Sequence, residues 1–120
     1  MKHLSLLILC VVFSVQTFGQ KFNETVMDEK SGTRILIGNC TLSGLYEGEF
    51  GQMYQREFSA YKAGNDALNQ LKYKLDEINF TVVLGTWCGD SKEQVGRFMK
   101  VLASLKYDTE RCTLIAVDRA

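Results

Sequence analysis

The sequence predicts an α/β fold, and three consecutive stretches carry that expectation. Phe80, Val82, Val83 and Leu84 form a short apolar run rich in β-branched residues. Such a run suits a strand covered on both faces. From about Asp90 to Leu105 the pattern changes to helical spacing, with Val95, Phe98, Met99, Leu102 and Leu105 on one side. Cys112 to Val117 is a second apolar run, ending at Asp118. Strand, helix and strand make a βαβ unit, whose strands should be parallel and whose crossover should be right-handed.

The chain before this unit divides in two. Residues 1–19 have the pattern of a cleaved secretory signal. Lys2 and His3 give a positive start, and Leu4 to Val15 are apolar apart from two serines. Thr17 and Gly19 are small residues before a cut at Gln20. The apolar run is shorter than the ~20 residues that span a bilayer. Cys10 lacks the small residues before it that a lipid-modified cysteine needs. The expected product is exported, to the periplasm, with no membrane anchor after cleavage. It keeps Cys40, Cys88 and Cys112 and has no histidine.

Residues 20–78 read as an N-terminal extension of a hairpin and two helices. Phe22–Met27 and Thr33–Ile37 are strand-like, and the five residues between them have turn chemistry. We expect this hairpin to be a small edge decoration rather than a binding ribbon. Asn39–Ser43 reads as a loop holding Cys40. From Glu47 to Lys62 the residues Phe50, Tyr54, Phe58 and Tyr61 share one helical face, expected to pack rather than to bind a ligand. Gly64 breaks that helix and Asn65 can cap the next, from Asp66 to about Glu77. Leu68, Leu71, Leu75 and Ile78 form its expected buried side.

Composition excludes several functions. Lys plus Arg and Asp plus Glu are 14 each, so no basic field for nucleic acid exists. With no histidine left in the expected mature chain, triad hydrolysis is out. Cys40, Cys88 and Cys112 are too widely spaced for a zinc site, and no glycine-rich phosphate loop occurs. No metal or cofactor is expected. The three cysteines of the expected mature chain, an odd number, leave at least one thiol unpaired within it. Cys88 is the candidate, because it sits where a strand passes into a helix. Unpaired N–H groups and the positive end of the dipole at a helix start favour the thiolate, the reactive form of cysteine.

At Gly85-Thr86-Trp87-Cys88-Gly89-Asp90-Ser91 the sequence resembles the Trp-Cys-Gly-x-Cys motif of the thioredoxin superfamily. It is most similar to exported thioredoxin-like proteins of Bacteroidetes-type bacteria. The resemblance covers residues 79–120 and implies a partial thioredoxin-like domain. In the family the fold continues with a cis-proline loop, an antiparallel strand pair and a final helix. This sequence has no proline, so 79–120 is expected to be an incomplete domain from a longer chain. Gly96 stands near the place of a kink-forming proline.

The resemblance implies that Cys88 is the attacking thiol and that Ser91 replaces the resolving cysteine. Trp87 would shield the sulfur and offer an apolar rim. The family's buried acid falls near Val82 and is absent. Ser91 is expected to donate a hydrogen bond to the Cys88 sulfur. Lys92 is expected to favour the thiolate, and Asp90 to oppose it. The implied activity is thiol–disulfide exchange of the monothiol Cys-x-x-Ser type, through a mixed disulfide with protein or small-molecule thiols and disulfides. The alternative is a redox-inactive thioredoxin-fold module that binds proteins. Cys112 should lie too far from Cys88 to bond it, whereas Cys40 stays open as a resolving thiol.

Overall fold

The structure is a computed structural model that describes residues 19–119. The segment expected as a signal lies almost wholly outside the described residues. The elements run β1 (Glu24–Met27), β2 (Arg34–Cys40), a 3-10 turn (Ser43–Tyr46), α1 (Gly48–Ala60), α2 (Asn65–Leu71), β3 (Phe80–Leu84), α3 (Gly89–Ser104), a second 3-10 turn (Thr109–Arg111) and β4 (Cys112–Ala116). The fold is mixed α/β, with one four-stranded sheet in the order β1-β2-β4-β3. β3 and β4 pair in parallel, Phe80 opposite Cys112 and Leu84 opposite Ala116. β2 pairs antiparallel with both β1 and β4.

The hairpin is therefore part of the sheet rather than an edge decoration. β2 runs through Asn39 and Cys40, which were expected in a loop, because both pair with β4. Cys40 is buried. The partner that extends β2 lies more than seventy residues further along the chain, so local turn chemistry could not reveal it.

One face of the sheet is covered. Leu36 and Cys40 of β2, Leu114 and Ala116 of β4 and Leu84 of β3 join Phe50 and Tyr54 of α1 and Val95, Met99 and Leu102 of α3 in a single core. Phe80 meets Phe98 and Tyr107 edge to face, with ring centroids 5.3 Å apart in each case. The aromatic face of α1 is thus a packing face as expected. Tyr61 falls just beyond the helix, on extended backbone. On the other face β3 departs from expectation. Thr81 is exposed, Val83 is 63% exposed and its neighbour Ile115 is half-buried, so the strand is covered on one face only.

α2 is shorter than expected, at seven residues, and none of them is buried. Gly64 rather than Asn65 precedes it as the cap. Leu75 packs on the core from beyond the helix, and Ile78 is 40% exposed. A helix gains most of its stability from packing an apolar face. This one finds little to pack against and stops at Leu71.

Gly96 has a clear role in the structure. α1 and α3 approach so closely there that a methyl group on Gly96 would lie 2.6 Å from the Tyr54 carbonyl oxygen and 3.2 Å from the Phe58 nitrogen. Beside this contact, Arg97 of α3 donates to Glu57 of α1 at 2.9 Å. Alanine is the better helix former by ~1 kcal/mol, yet here it meets backbone that cannot move aside. Overpacking of this kind costs about 1–3 kcal/mol. Gly96→Ala should therefore lower the midpoint of urea unfolding. A raised midpoint would mean that the helices can separate without cost.

Candidate functional site

The site is built at the end of β3, where a parallel strand hands over to α3. Val117 N–H donates to the Leu84 carbonyl at 2.9 Å, extending the β3–β4 ladder to the start of the turn. Cys88 N–H then donates to Gly85 C=O at 2.9 Å, closing a four-residue turn. Cys88 is the N-cap of α3, with extended backbone (φ −86°, ψ 126°), and its carbonyl accepts from Lys92 N–H at 3.0 Å. The thiol is half-buried and free.

Cys88 is held below the usual thiol range. The Ser91 backbone N–H contributes most, followed among the favourable contacts by the Ser91 hydroxyl and the Asp90 N–H. Burial and the Asp90 carboxylate oppose the shift. These are the unpaired donors of a helix start, which favour a sulfur anion. The Ser91 hydroxyl accepts from Gly85 N–H at 3.1 Å, and it also helps to lower the Cys88 pKa. Ser91 thus fastens the turn to the helix as well as serving the thiolate.

Lys92 differs from expectation. Its ammonium pairs with Glu49 of α1 at 2.9 Å and is not among the groups that shift Cys88. The geometry replaces the expected ammonium with backbone donors. Asp90 opposes the thiolate, as expected.

Trp87 is half-buried and held from several sides. Its indole N–H donates to Val117 C=O at 2.9 Å, and the Arg119 guanidinium lies 4.8 Å from the ring centroid. The ring covers Gly85, where a Cβ would come within 2.8 Å of it. Arg119 in turn reaches Asp28 of the β1–β2 turn at 3.1 Å. Asp28 is buried, and the Ser31 hydroxyl foremost holds its carboxyl below the ordinary value, with Arg119 adding to the effect. Thr86 accepts from Leu36 N–H at 3.1 Å, tying the turn to β2. Sequence reasoning missed Thr86, Arg119 and Asp28. Thr86 stands inside the motif and could have been singled out. Nothing local marks the other two.

The other cysteines are separate from Cys88. Cys112 is paired with Phe80, about 13 Å along the strand from Leu84 at ~3.3 Å per residue. Cys40 is level with Leu114 and Val82, two strands across from β3, or about 10 Å. Both lie beyond the ~7 Å Cα limit for a disulfide. Cys40 is therefore not placed to resolve a bond at Cys88. Burial raises the pKa of both thiols.

Among the described residues no three His, Cys, Asp or Glu side chains come together to hold a metal ion. No helix among them is long and apolar enough to cross a membrane. No family model, no curated protein and no solved structure matches the chain.

The three thiols should differ in their reaction with iodoacetamide. Cys88 should react first in the native chain, with a half-maximal rate below the ~8.5 of a free cysteine. A depressed pKa leaves more thiolate at any lower pH, so the profile moves to the acid side. Ser91→Ala should move it back towards ~8.5, because one donor to the sulfur is lost. Mass spectrometry of the adducts at each pH gives the profile, and an unchanged midpoint in the variant would remove Ser91 from the site.

Proposed function

We propose that this chain is a thioredoxin-like thiol–disulfide oxidoreductase of monothiol type, acting through a mixed disulfide at Cys88 and exported to the periplasm. One observation carries the proposal: Cys88 stands at the N-cap of α3, where the N–H groups of Ser91 and Asp90 and the Ser91 hydroxyl lower its pKa and so favour its thiolate. The parallel β3–α3–β4 unit with the cysteine at the helix start supports the thioredoxin-like reading.

The chemistry follows from the sulfur and the serine. The Cys88 thiolate attacks one sulfur of a partner disulfide. One S–S bond forms, one breaks, and the second partner sulfur leaves as a thiolate. Ser91 cannot carry out the next attack, because an alcohol is a poor nucleophile at neutral pH, and neither Cys40 nor Cys112 is within reach. Release falls to an outside thiolate that attacks the partner's sulfur and returns Cys88 as the leaving group. Electrons balance between the two thiols and the one disulfide, without a cofactor.

A second reading has its own observation. Val83, Ile115 and Ile37 leave part of one sheet face apolar and accessible, with Val83 at 63% exposed. Such a surface suits protein contact, and it favours a redox-inactive binding module.

Treatment with a small disulfide separates the two. Cys88 should form an adduct ahead of Cys40 and Cys112, and the adduct should persist until glutathione is added. Ser91→Cys should shorten its lifetime and introduce some multiple-turnover disulfide reduction, below that of a complete thioredoxin because Val82 supplies no acid. Reaction at Cys88 no faster than at an unfolded peptide thiol would end the oxidoreductase reading and leave the binding module.

A further inference from the structure

A cleft of about 480 Å³ opens beside the site, between the β1–β2 hairpin, the start of α1 and the Trp87 turn. Its size is that of a small-molecule pocket, roughly 300–1,000 Å³. Two of its walls, Trp87 and Lys92, stand immediately before Cys88 and one helical turn after it. Cys88 itself is not part of the lining.

The charges of this cleft identify what it accepts. Lys92 is committed to Glu49 at 2.9 Å, and Arg119 to Asp28 at 3.1 Å. Two charged side chains on its lining remain. Arg34 makes one hydrogen bond, to the Thr25 hydroxyl at 3.1 Å, which leaves most of its guanidinium donors unused. Glu47 sits at the N-cap of α1 without a side-chain capping bond, and its carboxylate has no partner among the described residues. One cation and one anion are thus left to face a ligand, from different elements. The half-buried Trp87 ring lines the same cleft, whereas Ile35 and Phe50, also on its lining, are almost fully buried.

From this we propose that the cleft binds a small zwitterionic peptide, with its carboxylate at Arg34, its ammonium at Glu47 and its side chain against Trp87. A neutral apolar ligand would leave both charges unused. A simple anion would meet Arg34 but be repelled by Glu47. A zwitterion answers both.

Trp87 is the chain's only tryptophan, so its fluorescence reports on the cleft directly. The probe is glycyl-S-methylcysteine, whose blocked sulfur cannot exchange, added to the full chain. Its binding should be saturable. The same dipeptide acetylated at its N-terminus and amidated at its C-terminus should bind at least about tenfold more weakly, as expected for the loss of charged hydrogen bonds. Arg34→Gln and Glu47→Gln, both exposed substitutions, should each weaken the zwitterion about tenfold and leave the capped peptide unchanged. Equal binding of the two peptides, insensitivity to both substitutions, or no saturable response of Trp87 would overturn the proposal. Because the probe cannot form a disulfide, the outcome does not depend on the redox activity of Cys88. Adduct formation at Cys88 without probe binding defeats only the cleft. Probe binding to a chain whose Cys88 is inert upholds the cleft as a peptide site and defeats the redox reading.

Discussion

The parallel pairing of β3 with β4 is the constraint from which the site follows. Parallel neighbours cannot be joined by a tight turn, so the chain must cross from one end of the sheet to the other. α3 makes that crossing with 16 residues, about 24 Å at ~1.5 Å per residue. Its start is thereby fixed at the end of β3, and its unpaired N–H groups gather around residue 88. The same crossing places Cys112 at the opposite end, opposite Phe80. One constraint both exposes a thiolate-favouring position and separates it from another cysteine. Gly96 then sets the depth at which the crossing helix lies against α1, since any larger side chain would meet the Tyr54 carbonyl.

The βαβ unit was legible in the sequence because its signals are local. A β-branched run, a change to helical spacing and a second β-branched run each span only a few residues. Cys88 was legible for the same reason: its chemistry depends on where a strand ends and a helix begins. The sheet order was not legible. β2 meets β4 through Gly38, Asn39 and Cys40, and nothing near those residues announces a partner so far along the chain. α2 had the right apolar spacing but too little surface to pack on, so pattern overstated its length. Lys92 was read from proximity in sequence as a neighbour of the sulfur. In space its ammonium pairs with Glu49.

The two sides of the sheet are unequal, and this affects how the site end is held. On the covered face Leu84, Leu114 and Ala116 are buried against helices. On the other, Val83 and Ile115 are partners in register but neither is fully covered. β3 also ends the described sheet, so one row of its backbone groups has no strand beside it. Bare edges and apolar faces favour further association. The turn after β3 is nevertheless held from within the chain, by Thr86 on Leu36, Trp87 on Val117 and Ser91 on Gly85. Those bonds reach β2, the residue following β4, and α3. The turn that carries Cys88 is therefore fixed by three directions of contact, although one side of its strand is open.

Ser91 shows why the motif cannot be treated as a set of interchangeable thiols. Its hydroxyl accepts from Gly85 N–H and also helps to lower the Cys88 pKa. An oxygen can do both at once, whereas a thiol is a weak donor and a weak acceptor. Cysteine at this position would add a nucleophile and at the same time weaken the bond that fastens the turn to α3. Gly85 is buried beneath the Trp87 ring, so a loosened Gly85 N–H would lie poorly placed to find water, and an unsatisfied buried donor costs about 1–3 kcal/mol. The serine is thus a compromise in the physical sense. It supplies no second thiol, and in return it favours the thiolate at Cys88 and keeps the turn that presents it in place.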